Sequence, residues 1–122
     1  MKVGLYVRVS TIEQEKHGHS IEVQKEKLRA FAEAKDYTVV KEYVDAAQSG
    51  AKLERPALKR LIIDIENKEI EGVLVYRLDR LSRSQKDTMY LIEDIFLKND
   101  VAFVSLQESF DTTTSFGRAM IG

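Results

Sequence analysis

The apolar residues of this chain switch repeatedly between a period of two and a helical period, and that switching limits the fold more than any other feature. Val3, Leu5, Val7 and Val9 alternate with Gly4, Tyr6, Arg8 and Ser10, which reads as a strand over 2–9. No hairpin signal follows, so the strand belongs inside a parallel sheet. Ile21, Leu28, Phe31 and Ala32 then mark a helix over 20–35, and residues 37–44 a second strand. Pro56, the only proline, opens a helix striped by Leu58, Leu61, Ile62 and Ile65, since proline suits the first helical position. Gly72 to Tyr76 is a short buried strand. Residues 84–98 form a helix through Met89, Ile92, Ile95 and Phe96 that stops at Asn99, and Val101 to Leu106 is another strand. The order β-α-β-α-β-α-β predicts an α/β domain: a mostly parallel central sheet of four to five strands with helices on both faces.

At 122 residues and 43% apolar content the chain makes one domain with a real core. It has no cysteine, which excludes disulfides, thiolate zinc sites and a thiol nucleophile. His17 and His19 flank Gly18 without a third ligand, so no metal is expected. No phosphate-binding glycine loop occurs, and no cofactor is expected. The apolar runs are too short for a membrane span, and the N-terminus is too quickly polar for a secretory signal. The expected compartment is the cytoplasm. Lys and Arg total 19 against 20 Asp and Glu, so no global basic field advertises nucleic acid.

Local charge tells a different story. Four basic residues and one acid lie between Arg77 and Lys86, a net +3, whereas Asp87 to Gly122 carries a net −4. Sites in open α/β sheets form beyond the carboxyl ends of the strands. Arg8 and Ser10 lie at the end of the first strand, two residues apart and therefore on one face. There a hydroxyl can attack a phosphate whose oxygens an arginine holds. Ser10-Thr11-Ile12-Glu13 also fits a capping box, in which Ser10 merely starts a helix. Arg77, Asp79, Arg80 and Arg83 follow the Gly72–Tyr76 strand, with Arg80 and Arg83 on one side if that segment is helical. A solvated charged turn is the competing reading. Gln24, near the apolar stripe of its helix, needs a polar partner: a loop, a phosphate or an arginine. Ser49 and Arg55 occupy a long polar connection, either reaching the site or solvated, and composition favours solvation.

Tyr6-Val7-Arg8-Val9-Ser10-Thr11, Ser20-Ile21-Glu22-Val23-Gln24, Asp45 to Gly50 and Leu78-Asp79-Arg80-Leu81-Ser82-Arg83 occur in this order. Together they resemble the catalytic domain of the serine site-specific recombinases, the resolvase/invertase family. The long gap from Ser10 to Gln24, with Ser49-Gly50-Ala51-Lys52-Leu53-Glu54-Arg55-Pro56, is similar to the large serine integrases of phages and mobile elements. The resemblance implies a resolvase-like catalytic domain over 1–122 that cuts and rejoins DNA through a 5′-phosphoserine link, without metal or ATP. It makes Ser10 the nucleophile and places Arg8, Arg80 and Arg83 around the scissile phosphate. Gln24, Asp79, Ser49 and Arg55 match further active-site positions, and Arg77 stands where many relatives carry lysine. The implied partners are double-stranded DNA attachment sites and further copies of the protein, in a dimer and a synaptic tetramer of the full-length form. A non-catalytic flavodoxin-like module that binds an anion or a protein, with Ser10 as a helix cap, is the alternative. No residue stands out as general base, because arginine is too weakly acidic to serve as one.

Thr112, Thr113, Thr114 and Ser115 offer N-caps for a helix from Phe116 that Gly122 cuts short. The expectation is a truncated assembly helix with the site-recognition region lying elsewhere. Residues 1–122 should therefore bind duplex DNA weakly and without sequence preference, with a shallow salt slope set by the few phosphate contacts of the +3 patch. A salt titration against cognate and scrambled duplexes checks this. Tight, selective binding would place base recognition in this domain.

Overall fold

The computed structural model describes residues 1–9, 21–46, 55–81 and 84–114. Strand β1 (Lys2–Val9) leads to helix α1 (Ile21–Ala34), strand β2 (Thr38–Ala46), helix α2 (Pro56–Glu66) and strand β3 (Gly72–Val75). Next come the one-turn helix α3 (Leu78–Leu81), helix α4 (Gln85–Tyr90) and strands β4 (Ala102–Ser105) and β5 (Phe110–Asp111). The sheet order is β2-β1-β3-β4-β5. Neighbours are parallel except β4 and β5, which pair antiparallel.

The alternation in β1 sorts its side chains between two cores. Val3, Leu5 and Val7 are buried with Leu28 and Ala32 of α1, Leu74 and Val104. Tyr6 faces the other way, into a larger core with Leu61 and Ile65 of α2, Val73, Ile92, Phe96 and Phe103. Helices cover both faces, as the sequence pattern predicts.

The helix expected over 84–98 is more varied than its apolar stripe suggests. Ser84 caps α4 by accepting a bond from Asp87 N at 3.2 Å. The path then widens to a π-helical stretch over Leu91–Phe96 and tightens to a 3₁₀ turn over Leu97–Asn99. The wider turns bring Leu91, Ile92 and Phe96 together on the buried side. The stop is Asp100, in the left-handed conformation at φ 60°, one residue beyond the predicted Asn99. Thr112 belongs to the edge of the sheet. Its backbone N–H donates to Phe103 O at 3.0 Å and its hydroxyl accepts from Phe103 N at 2.9 Å. It therefore extends the sheet edge. The expected helix from Phe116 lies outside the described residues.

Gly4 marks a close approach. A shift in register separates Val3 from Gly4 along β2, and a Cβ on Gly4 would sit 2.8 Å from Cε2 of Tyr43. That ring cannot swing aside easily, because its hydroxyl donates to Asp64 Oδ2 at 2.6 Å. Gly4→Ala should destabilise the domain by about 1–3 kcal/mol, the usual range for overpacking. Thermal unfolding of the two proteins side by side measures it, and an unchanged Tm would show that Tyr43 yields.

Candidate active site

In this strand order the chain reverses direction across the sheet between β1 and β3, since β2 lies on one side of β1 and β3 on the other. A crevice opens at the carboxyl ends of strands at such a switch point. Arg8 is the penultimate residue of β1, and α3 begins three residues after β3. The two elements meet: Arg8 Nε donates to the Arg80 carbonyl at 3.2 Å. Both arginines are only 2% exposed. The fold thus gathers two guanidinium-bearing residues, 72 positions apart in the chain, into one buried corner.

A second set of contacts supports that corner. Asp45, near the end of β2 and 5% exposed, pairs with Arg8 in strand register. Its carboxylate accepts from Tyr6 Oη at 2.7 Å, from Ala57 N at 2.9 Å and from Leu58 N at 3.1 Å. The N-terminal N–H groups of α2 are therefore capped from the neighbouring strand, because Arg55 at the N-cap position offers no side-chain acceptor. The Tyr6 hydroxyl in turn accepts from Arg55 Nε at 3.2 Å and Nη2 at 3.0 Å. Arg55 also donates to the Leu81 carbonyl at the end of α3, and its guanidinium lies 5.5 Å from the Tyr6 ring centroid. Burial, then the bond to Asp45, pushes the Tyr6 phenol well above the ordinary tyrosine pKa. The phenol stays protonated and remains a donor to the carboxylate.

These contacts revise the solvated reading of Arg55 and supply Gln24 with a polar partner. Arg55 is half-buried and bound to protein, not solvated; a long polar segment hides the fact that its last arginine turns inward. Gln24 is fully buried, and its amide nitrogen approaches the backbone carbonyl of Arg8 at 3.5 Å, so it braces the end of β1 from α1. Arg77 is half-buried in the β3–α3 connection, where its carbonyl accepts from Arg80 N at 2.9 Å. Ser10, Ser49 and Arg83 lie outside the described residues, as does the side chain of Asp79. Sequence reasoning missed Tyr6 and Asp45 as parts of the site. Nothing local marked them: Tyr6 is one of the alternating residues of β1, and Asp45 follows the predicted strand over 37–44 as one more polar residue. No cluster of three or more His, Asp or Glu side chains suited to a metal exists among the described residues.

The model of the resolvase N-terminal domain matches residues 3–122. Among solved structures, the N-terminal catalytic domain of TP901-1 integrase is 52% identical at a TM-score of 0.87, covering 99% of this chain and 88% of that one. A putative DNA recombinase of Bacillus subtilis is 40% identical over 102 residues, which are 84% of this chain and 20% of the relative. An uncharacterized immunity region protein of Bacillus phage phi105 is 45% identical over 74 residues, 61% of this chain and 85% of the relative. The chain spans 36% of the Tn917 resolvase of Enterococcus faecalis and about half, 52%, of the Hin invertase of Salmonella typhimurium. A non-catalytic flavodoxin-like module is not favoured by these matches. The buried Arg8–Arg80 corner at the switch point thus sits in a chain that belongs to the resolvase/invertase family, as a serine-recombinase catalytic domain with the resolvase-like fold.

Proposed function

We propose that this domain cleaves and rejoins the strands of DNA attachment sites through Ser10. The observation that carries the reading is the bond from Arg8 Nε to the Arg80 carbonyl. It brings two arginines from distant parts of the chain to the strand end that Ser10 directly follows. In the reaction, Ser10 Oγ attacks the scissile phosphorus, the Oγ–P bond forms and the P–O3′ bond breaks. The serine proton is lost to solvent or a base, and the 3′-oxygen leaves as a hydroxyl after taking up a proton. Attack by the 3′-hydroxyl of a new partner strand reverses the step and frees the serine. One phosphoester replaces another, so no nucleotide cofactor drives the exchange. Arg8, Arg80 and Arg83 offset the charge that grows on the phosphoryl oxygens, as preorganised donors do in phosphoryl transfer. Arg77 supplies a planar fork where a lysine would offer a point charge. Asp79, Gln24, Ser49 and Arg55 complete the surroundings of that phosphate.

The wider reading follows the same line. The domain spans 1–122 with an assembly helix beginning near Phe116, and recognition of attachment sites belongs to a further region of the full-length protein. That protein works on double-stranded DNA as a dimer that pairs into a synaptic tetramer, in the cytoplasm. Among the described residues no helix is long and apolar enough to cross a membrane.

Two measurements test the proposal. In the full-length protein, Ser10→Ala should keep attachment-site binding and abolish the denaturation-resistant adduct at the 5′ end of nicked DNA. Cleavage by the purified alanine variant would sink the assignment. Replacing Arg8, Arg80 or Arg83 singly by alanine should raise the cleavage barrier by about 3 kcal/mol, the scale of a lost oxyanion donor. Normal single-turnover rates in all three variants would end the phosphate-cradle reading.

A further inference from the structure

The geometry points to Glu108 as a positioning residue of the active site, one that acts through the backbone of α3; this rests on the catalytic reading above. Helix α3 is a single turn of four residues, far below the length at which a helix holds itself together in water. Its position must come from outside. At its C-terminal end, Arg8 and Arg55 donate to the carbonyls of Arg80 and Leu81, where cations suit the dipole of the turn. At its N-terminal end the Glu108 carboxylate accepts from Leu78 N, with oxygens at 3.2 and 3.3 Å. An acceptor is what the orphan N–H groups of a helix start require, and negative charge suits that end.

Glu108 is itself held in place. Its Oε1 accepts from the buried Ser105 hydroxyl at 2.5 Å. The turn that carries it grips the whole β3–α3 connection. Leu106 N donates to Val75 O and Gln107 N to Tyr76 O, both at 3.0 Å. The Gln107 amide donates to Tyr76 Oη at 2.9 Å. The turn after β4 and the arginine-bearing turn after β3 are thus joined step by step, and from the former turn Glu108 reaches the start of α3 at Leu78 N. Glu108 is exposed, so its replacement removes the carboxylate without opening a cavity in either core. Among the described residues its bonds go to Leu78 N and the Ser105 hydroxyl, and its effect on DNA chemistry runs through the placement of Arg80.

The test pairs amide hydrogen exchange on this chain with single-turnover cleavage by the full-length recombinase. In Glu108→Ala, the Leu78 to Leu81 amides should exchange about fivefold faster, the scale of a lost helix cap, while the amides of β3 keep their protection. At saturating DNA the rate of 5′-linked adduct formation should fall about tenfold, with affinity for the attachment site unchanged. Glu108→Gln, which keeps an acceptor oxygen, should recover most of that rate. Unchanged exchange at Leu78 to Leu81, or a normal adduct rate in Glu108→Ala, would overturn the proposal. So would a loss of protection shared by β3 and β4, which would make Glu108 a general stabiliser. If the unaltered protein forms no adduct, the catalytic reading has failed, and the exchange measurement alone then decides whether Glu108 positions α3.

Discussion

One buried carboxylate organises the functional end of this domain. Asp45 accepts three hydrogen bonds, from Tyr6 on β1 and from Ala57 and Leu58 at the start of α2. A buried charge is costly unless it is fully satisfied, and here three donors from two elements satisfy it. The arrangement ties β2 to β1 by a side-chain bond and sets where α2 begins. It also orients the Tyr6 hydroxyl so that its remaining lone pairs face Arg55. Without that carboxylate, α2 would lack its cap and the link from Tyr6 to Arg55 would lose its anchor.

From there the constraint passes to α3. Arg55 bridges the Tyr6 hydroxyl and the Leu81 carbonyl, Arg8 holds the Arg80 carbonyl, and Glu108 meets Leu78 N. Every one of these bonds joins residues at least 26 positions apart. The short helix that carries Arg80 is therefore a tertiary object, fixed by contacts from β1, from the N-cap of α2 and from the turn after β4. This arrangement suits the family's chemistry. Offsetting charge on a phosphate needs guanidinium groups whose positions are set before the substrate arrives.

Much of this architecture was legible in the chain. The two-residue period of Val3, Leu5, Val7 and Val9 and the helical stripes at Leu28, Leu61 and Phe96 marked the layers, because one-sided burial imposes those periods. Arg8 and Arg80 could be placed at strand ends for the same reason. Arg55 could not, since its partners Tyr6 and Leu81 lie 49 and 26 residues away and nothing near it in sequence signals burial. Asp45 and Glu108 look like ordinary loop acids in the sequence. They differ only in which N–H and O–H groups the fold brings to them.

The sequence by itself determined the element order, the parallel character of the sheet, the family and the local concentration of positive charge after β3. Element order, sheet character and local charge depend on periodicity and composition within short windows, where neighbouring residues report on one another, whereas the family rests on the motifs around Arg8, Gln24 and Arg80 and the resemblance they carry. The tertiary structure decided which polar residues meet. It turned Gln24 toward the Arg8 backbone, drew Arg55 in from the surface, added β5 antiparallel at the edge and placed Glu108 at the start of α3. Hydrogen bonds act over about 3 Å, and only the crossing of distant segments over a packed core sets such distances.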